Sequence, residues 1–132
     1  MQVKAIYFRS VKKKSDSLMV ACENGHTTIV QNLLQNKANI NAQDQNGWTP
    51  LYFACYYGKT ENVHVLLNSN ADPNIHNNDN ESPLMAAWSK GHVQIVKIML
   101  QVIYICFALI CINSKNTKFM LKFIFFLVTK HK

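Results

Sequence analysis

The stretch Asp44–Asn74, DQNGWTPLYFACYYGKTENVHVLLNSNADPN, holds one complete structural unit, and the chain on either side reads as copies of it. Shifted by 33 positions, Leu18, Leu51 and Leu84 align, as do Ala21, Ala54 and Ala87, and Gly25, Gly58 and Gly91. Val30, Val63 and Val96 follow, then Leu33, Leu66 and Met99, then Leu34, Leu67 and Leu100. Ala38 with Ala71 and Asn41 with Asn74 carry the match into the next turn. A fixed period of this size marks stacked repeats, each burying its apolar face only against its neighbours.

Within the central unit, Asn46-Gly47 is a tight-turn pair, since both residues tolerate positive φ. Thr49 is placed to cap a helix that Pro50 opens without losing a hydrogen bond. Leu51, Ala54 and Cys55 form one apolar stripe, small where a neighbouring helix must come close. Gly58 ends this helix and permits a reversal. Val63, Leu66 and Leu67 form the stripe of a second, antiparallel helix. Asn70 sits where a left-handed residue is expected, and Pro73 prevents continuation. The fold class is therefore all-α: stacked helix-turn-helix units with hairpin-like tips.

These residues resemble the ankyrin repeat family. The T-P-L, A, G-H or G-K, V-x-x-L-L and A-D-x-N elements recur in family order in the central unit, in NNDNESPLMAAWSKGHVQIVKIML and in LMVACENGHTTIVQNLLQNKANINAQ. The resemblance implies a solenoid of about three repeats over residues 15–101, divided as 15–43, 44–76 and a truncated 77–101. The family's His after T-P-L is replaced by Met19, Tyr52 and Met85, and its second Ala by Cys22, Cys55 and Trp88. Trp88 is the awkward departure, because a large ring must fit where a small residue usually packs.

The 132 residues should form one domain, and the formal charge of +7 is unevenly placed. Lys4, Arg9, Lys12, Lys13 and Lys14 lie before the repeats, and Lys115, Lys118, Lys122, Lys130 and Lys132 after them. The repeats hold all seven acids against Lys37, Lys59, Lys90 and Lys97, leaving the body at a formal −3. A nucleic-acid-binding domain carries its basic patch on the folded face, so no nucleic acid is expected. Solvated tails are one reading of the basic ends; a membrane-surface or localisation role for Lys12-Lys13-Lys14 is the other.

Cys22 and Cys55 share one repeat position. Stacked helices lie roughly 10 Å apart, beyond the roughly 7 Å limit for bridged Cα atoms, so both read as small buried hydrophobes. No metal-ligand spacing is present, and neither a metal nor a cofactor is expected. Met1–Lys14 has no apolar core of signal-peptide type, which points to an intracellular, cytoplasmic setting with the nucleus as the alternative.

Met1–Lys14 reads as a basic extension outside the repeats, partly disordered, with Ser15 or Asp16 capping the first helix of the array. Lys37 takes a glycine position after the second helix, a mildly strained choice, and Asn80 stands in for glycine in the turn Asn77–Asn80. Ser82-Pro83 repeats the cap and first-position proline. Val93, Val96, Met99 and Leu100 build the last stripe, and there the register fails: Ile103–Phe107 stands where a polar return belongs. Residues 102–132 have three readings. Apolar runs at Val102–Ile112 and Phe119–Val128 make an apolar cap or a membrane anchor, although neither reaches the roughly 18–20 residues of a span. Their Ile, Phe, Lys and Asn content and abrupt start also fit translation through an unspliced intron or a shifted frame, the reading placed first.

No paired carboxylates, phosphate loop or nucleophile context is present, so the chain does not read as an enzyme. The reading is a protein-interaction scaffold, a monomer whose concave face binds another protein. Its alternatives are a membrane-tethered ankyrin protein and an N-terminal fragment of a larger, ankyrin-containing protein, an enzyme included. Carried over by position from the resemblance, the contact residues are Gln45, Asn46, Trp48, Tyr56 and Tyr57, then Asn78, Asp79, Glu81, Ser89 and Lys90, with Glu23 and Asn24 on the first repeat. Trp48 is expected to project from the hairpin tip, with Tyr56 and Tyr57 at the solvent end of the first helix. The resemblance also makes Asn41 and Asn74 candidates for hydroxylation, with turn hydrogen bonding as the plainer role.

Overall fold

The computed structural model describes residues 2–113, in which six helices and no strand occur. They are α1 (Gln2–Asn24), α2 (Thr27–Gln35), α3 (Pro50–Tyr56), α4 (Thr60–Asn68), α5 (Pro83–Ser89) and α6 (Val93–Asn113). The chain divides into two compact units, Met1–Lys97 and Ile98–Lys132. The first holds α1 to α5 and the start of α6. Its first helices form one layer, α1 on α3 and α3 on α5, and α2 packs on α4 in a second layer.

The local chemistry of each pair follows the residues. Thr49 and Ser82 accept from the backbone N–H groups of Tyr52 and Met85, and Pro50 and Pro83 open the helices behind them. Between the two helices of each pair the chain reverses through Gly25, Gly58 and Gly91, at φ +76°, +71° and +74°. The reversal repeats one hydrogen bond: His26, Lys59 and His92 donate to the carbonyls of Ala21, Ala54 and Ala87. The second helices α2 and α4 end at Lys37 (φ 63°) and Asn70 (φ 65°), whose successors Ala38 and Ala71 donate back to Leu33 and Leu66. That is the Schellman arrangement, which satisfies carbonyls the helix end leaves orphaned.

The register position of Lys37 and Asn70 falls next on Ile103, a β-branched residue for which the left-handed region is closed. The helix accordingly runs on, and α6 reaches Asn113. Val96 and Met99 are buried as the stripe requires, whereas Val93 and Leu100 are exposed. The polar stretch after Asn113 and the apolar run Phe119–Val128 lie outside the described residues. Among those described, no helix is long and apolar enough to cross a membrane.

At the other end the expectation of a cap at Ser15 or Asp16 is corrected. α1 is continuous from Gln2, and Ser15 is buried within it. Nothing between Met1 and Asn24 stops it: the segment has neither glycine nor proline and is rich in lysine. The partly disordered extension is therefore helical over Gln2–Lys14, and Lys14 Nζ donates to the Asn36 carbonyl at the end of α2 (3.2 Å).

The core is the period made solid. Leu18, Leu51, Val30, Val63 and Leu66 are fully buried, each contributing roughly 1.5–3 kcal/mol of burial. Cys22 and Cys55 lie among them as free thiols, their pKa values pushed up to about 12 by burial.

Candidate functional site

The candidate face is built from two turns and the helices that follow them. In the first turn, Asp44 Oδ1 accepts from the N–H groups of Asn46 (2.9 Å) and Trp48 (2.8 Å). Asn77 does the same in the second, its Oδ1 accepting from Asp79 and Glu81, both at 2.9 Å. A short polar side chain that bonds its own backbone two residues on is what folds such a tip. The tips then bond to each other. The Asn78 N–H donates to the Asn46 carbonyl at 3.0 Å and its side-chain amide to the Gln45 carbonyl at 2.9 Å. Gly47 is needed here twice, for φ +79° and because a Cβ would sit 2.7 Å from Asn78 Oδ1. Gln45 and Asn46 thus take part through their carbonyls, while their side chains stay exposed.

Trp48 does not project from the tip. Its ring turns back onto α3, with centroids 4.6 Å from Tyr52, 5.1 Å from Phe53 and 5.2 Å from Tyr56, and it is half-buried. Burying aromatic faces against one another is worth more than pointing one ring at water. Tyr57 continues the cluster 5.0 Å from Tyr56 and is the most open ring in it, 40% exposed. Its pKa is raised, first by partial burial and then by the negative charge of Glu23. Lys90 reaches across from the third repeat and holds its ammonium 4.5 Å from the centroid of the Tyr56 ring.

Tyr52, read from sequence only as a departure from a pattern, anchors this arrangement. Its ring is buried, and its hydroxyl donates to Glu81 Oε2 at 2.7 Å. Burial, then the Glu81 hydrogen bond and charge, raise the phenol's pKa. The bonds from Tyr52 and then Asn77 lower that of Glu81.

Trp48, Tyr56, Tyr57, Asn78, Glu81 and Lys90 are thus brought together on one face, and Asp79 lies exposed at the tip between Asn78 and Glu81. Ser89 and Asn24 instead bond back to their own helices, at the carbonyls of Ala86 and Val20. An open groove lies in the other layer, lined by Leu34, Ala38, Ile40 and Val65 among others, and none of the candidates borders it. Asn41 Oδ1 accepts from the Asp72 N–H at 2.9 Å, tying the return of the first repeat to that of the second.

Trp88 overturns the expectation of a ring forced into a small site. It is 75% exposed, whereas Cys22 and Cys55 at the same repeat position are fully buried. The first two positions are covered by a following repeat, and the described third is not.

A family model for ankyrin repeats, three copies, matches residues 18–116, well over half of the chain. The chain belongs to the ankyrin-repeat family. Ankyrin repeats are generally protein–protein interaction modules and typically non-catalytic. The match runs past Gln101 and takes in the whole of α6. No curated protein matches this ankyrin chain.

Proposed function

We propose that this ankyrin-repeat protein is a non-catalytic scaffold that binds another protein through the face formed by the tips and first helices of its second and third repeats. One observation carries the reading. The Trp48–Tyr56–Tyr57 cluster forms a partly exposed aromatic shelf, spanned by Lys90 and bordered by Asn78, Asp79 and Glu81. Aromatic side chains offer large contact area with few rotatable bonds, and Tyr and Trp dominate interface hot spots for that reason. The mildly acidic repeat body and the lack of a basic patch on this face favour a protein partner over nucleic acid. The setting proposed is intracellular.

The test uses the exposed members of the face. Tyr57→Ala and Lys90→Gln should hold the melting temperature near that of the parent while weakening a captured partner at least about tenfold, about 1.4 kcal/mol. Retention of every partner by the double variant would sink this assignment of the face.

A further inference from the structure

The repeat supplies its own internal control, because each position can be compared with its equivalents at two formed joints. At a joint, the earlier repeat presents a forward side and the later one a backward side. Thr27 Oγ1 donates to Asn62 Oδ1 at 2.8 Å, and a ring nitrogen of His92 lies 3.0 Å from the Tyr56 carbonyl oxygen. The side chains of Lys59 and His92 lean back over Gly25 and Gly58, within 3.0 Å of where a Cβ would stand. Forward positions are sealed there: Met19 and Tyr52 are buried, as are Cys22 and Cys55. Backward positions are covered as well: Asn62 and Ile95 are buried at one place, and at another Ala86 is buried and Phe53 half-buried.

The same positions lie open at the two ends of the array. On the forward side of the third repeat, Met85 is 52% exposed and Trp88 75%, and nothing lies within 4 Å of the space over Gly91. On the backward side of the first repeat, Val20 is 56% exposed and Ile29 48%, and His26 occupies the position of His92. Here the surface forms a hollow lined by Ser17, Val20, Ala21, His26 and Ile29, with Lys13 and Asp16 at the rim. One end therefore carries a protruding apolar ring and the other an apolar hollow, and they occupy the two complementary halves of a joint the chain already makes twice.

We propose that a second copy of this chain stacks head to tail, the hollow of one copy receiving Trp88 of the next and His26 covering Gly91. The proposal departs from the monomer expected from the sequence, and it makes assembly depend on concentration. The contact is heterologous, so it leaves one end of each kind free and can extend. Lys13 stands at the rim of the hollow, and each copy is +7. Screening that repulsion should make assembly stronger as salt is raised, the opposite of a contact held by ion pairs.

Sedimentation equilibrium of the full chain tests this. The parent should gain mass with concentration, more so at high salt. Trp88→Glu keeps only the hollow and Ile29→Glu keeps only the ring, so each alone should remain monomeric. Mixed, they should form a one-to-one pair and nothing larger. Both positions are exposed, so neither change should disturb folding, which the circular dichroism spectrum checks. A parent that stays monomeric at every concentration and salt would overturn the proposal, as it would if these ends were covered by the chain's own residues 98–132 or by an unrelated partner. Self-association of either variant, or a mixture that fails to pair, would overturn it as well. None of these readouts depends on the aromatic shelf of the second repeat.

Discussion

The Tyr52 hydroxyl donates a 2.7 Å hydrogen bond to Glu81 Oε2, across the joint between the second and third repeats. A buried phenol needs a partner for its polar end, and here the next repeat provides it. Tyr52→Phe keeps the ring and removes the bond. It should lower stability by about 1 kcal/mol in urea unfolding, and a cost near zero would mean that the bond adds nothing to the joint.

Acid should act through the same pair. The bonds from Tyr52 and Asn77 favour ionised Glu81, so its folded pKa lies below the ordinary 4.5. Stability from this group is present above that ordinary value and is lost as pH falls through the lower, folded one. Because Glu81 is exposed, the effect is screened and small. Comparing melting temperatures at about pH 6 and about pH 3, the parent should lose slightly more than Glu81→Gln.

Lys37 holds φ 63° despite its Cβ, where the equivalent position of the next repeat uses Asn70 and the shorter reversals use glycine. The left-handed region costs an ordinary L-residue about 1–2 kcal/mol. Lys37→Gly should therefore raise stability by about 0.5–1 kcal/mol after the entropy of glycine is set against it. Asn70→Gly should gain less, since asparagine tolerates the region. A loss of stability in Lys37→Gly, measured by chemical denaturation, would refute the strain.

The thiols of Cys22 and Cys55, with pKa values near 12 in buried surroundings, should react with a thiol reagent only as fast as the helix pairs open. Peptide mapping after brief labelling should find exposed Cys106 modified first and these two protected until denaturant is added. Prompt labelling of Cys55 in the folded protein would contradict its packing.

Trp48→Ala should behave unlike Tyr57→Ala. Trp48 touches three rings, so its loss should cost about 2 kcal/mol or more as well as any partner binding. Tyr57, at the open edge, should change stability by less than about 0.5 kcal/mol. Equal melting temperatures for the two variants would show that the Trp48 contacts contribute little.

The parts of this molecule that local chemistry decides were legible in the residues. Thr49 caps, Pro50 and Pro83 start helices, and Asn70 and Asn80 take positive φ, because each depends only on neighbours in the chain. The parts decided by a residue 29 to 36 positions away were not, such as the Tyr52–Glu81 bond and the His92–Tyr56 contact. Trp48 was misread because its backbone position permits both an outward and a folded-back ring, and only the packing of α3 selects one. Trp88 was misread for a different reason: burial at that position belongs to the repeat that follows, not to the residue. The extension of α1 was legible in its lack of breakers, but its apolar residues show no period to announce a helix.

Asn78 grips the carbonyls of Gln45 and Asn46, and Gly47 leaves no room for a Cβ between the tips. For anyone recasting this protein as an engineered binder, that clasp separates two kinds of freedom. The identities of the side chains at 45 and 46 are open to randomisation, since the clasp uses only their main chain. The length of the tip is closed, because one inserted residue would carry both acceptors out of reach and unlatch the third repeat's turn from the second.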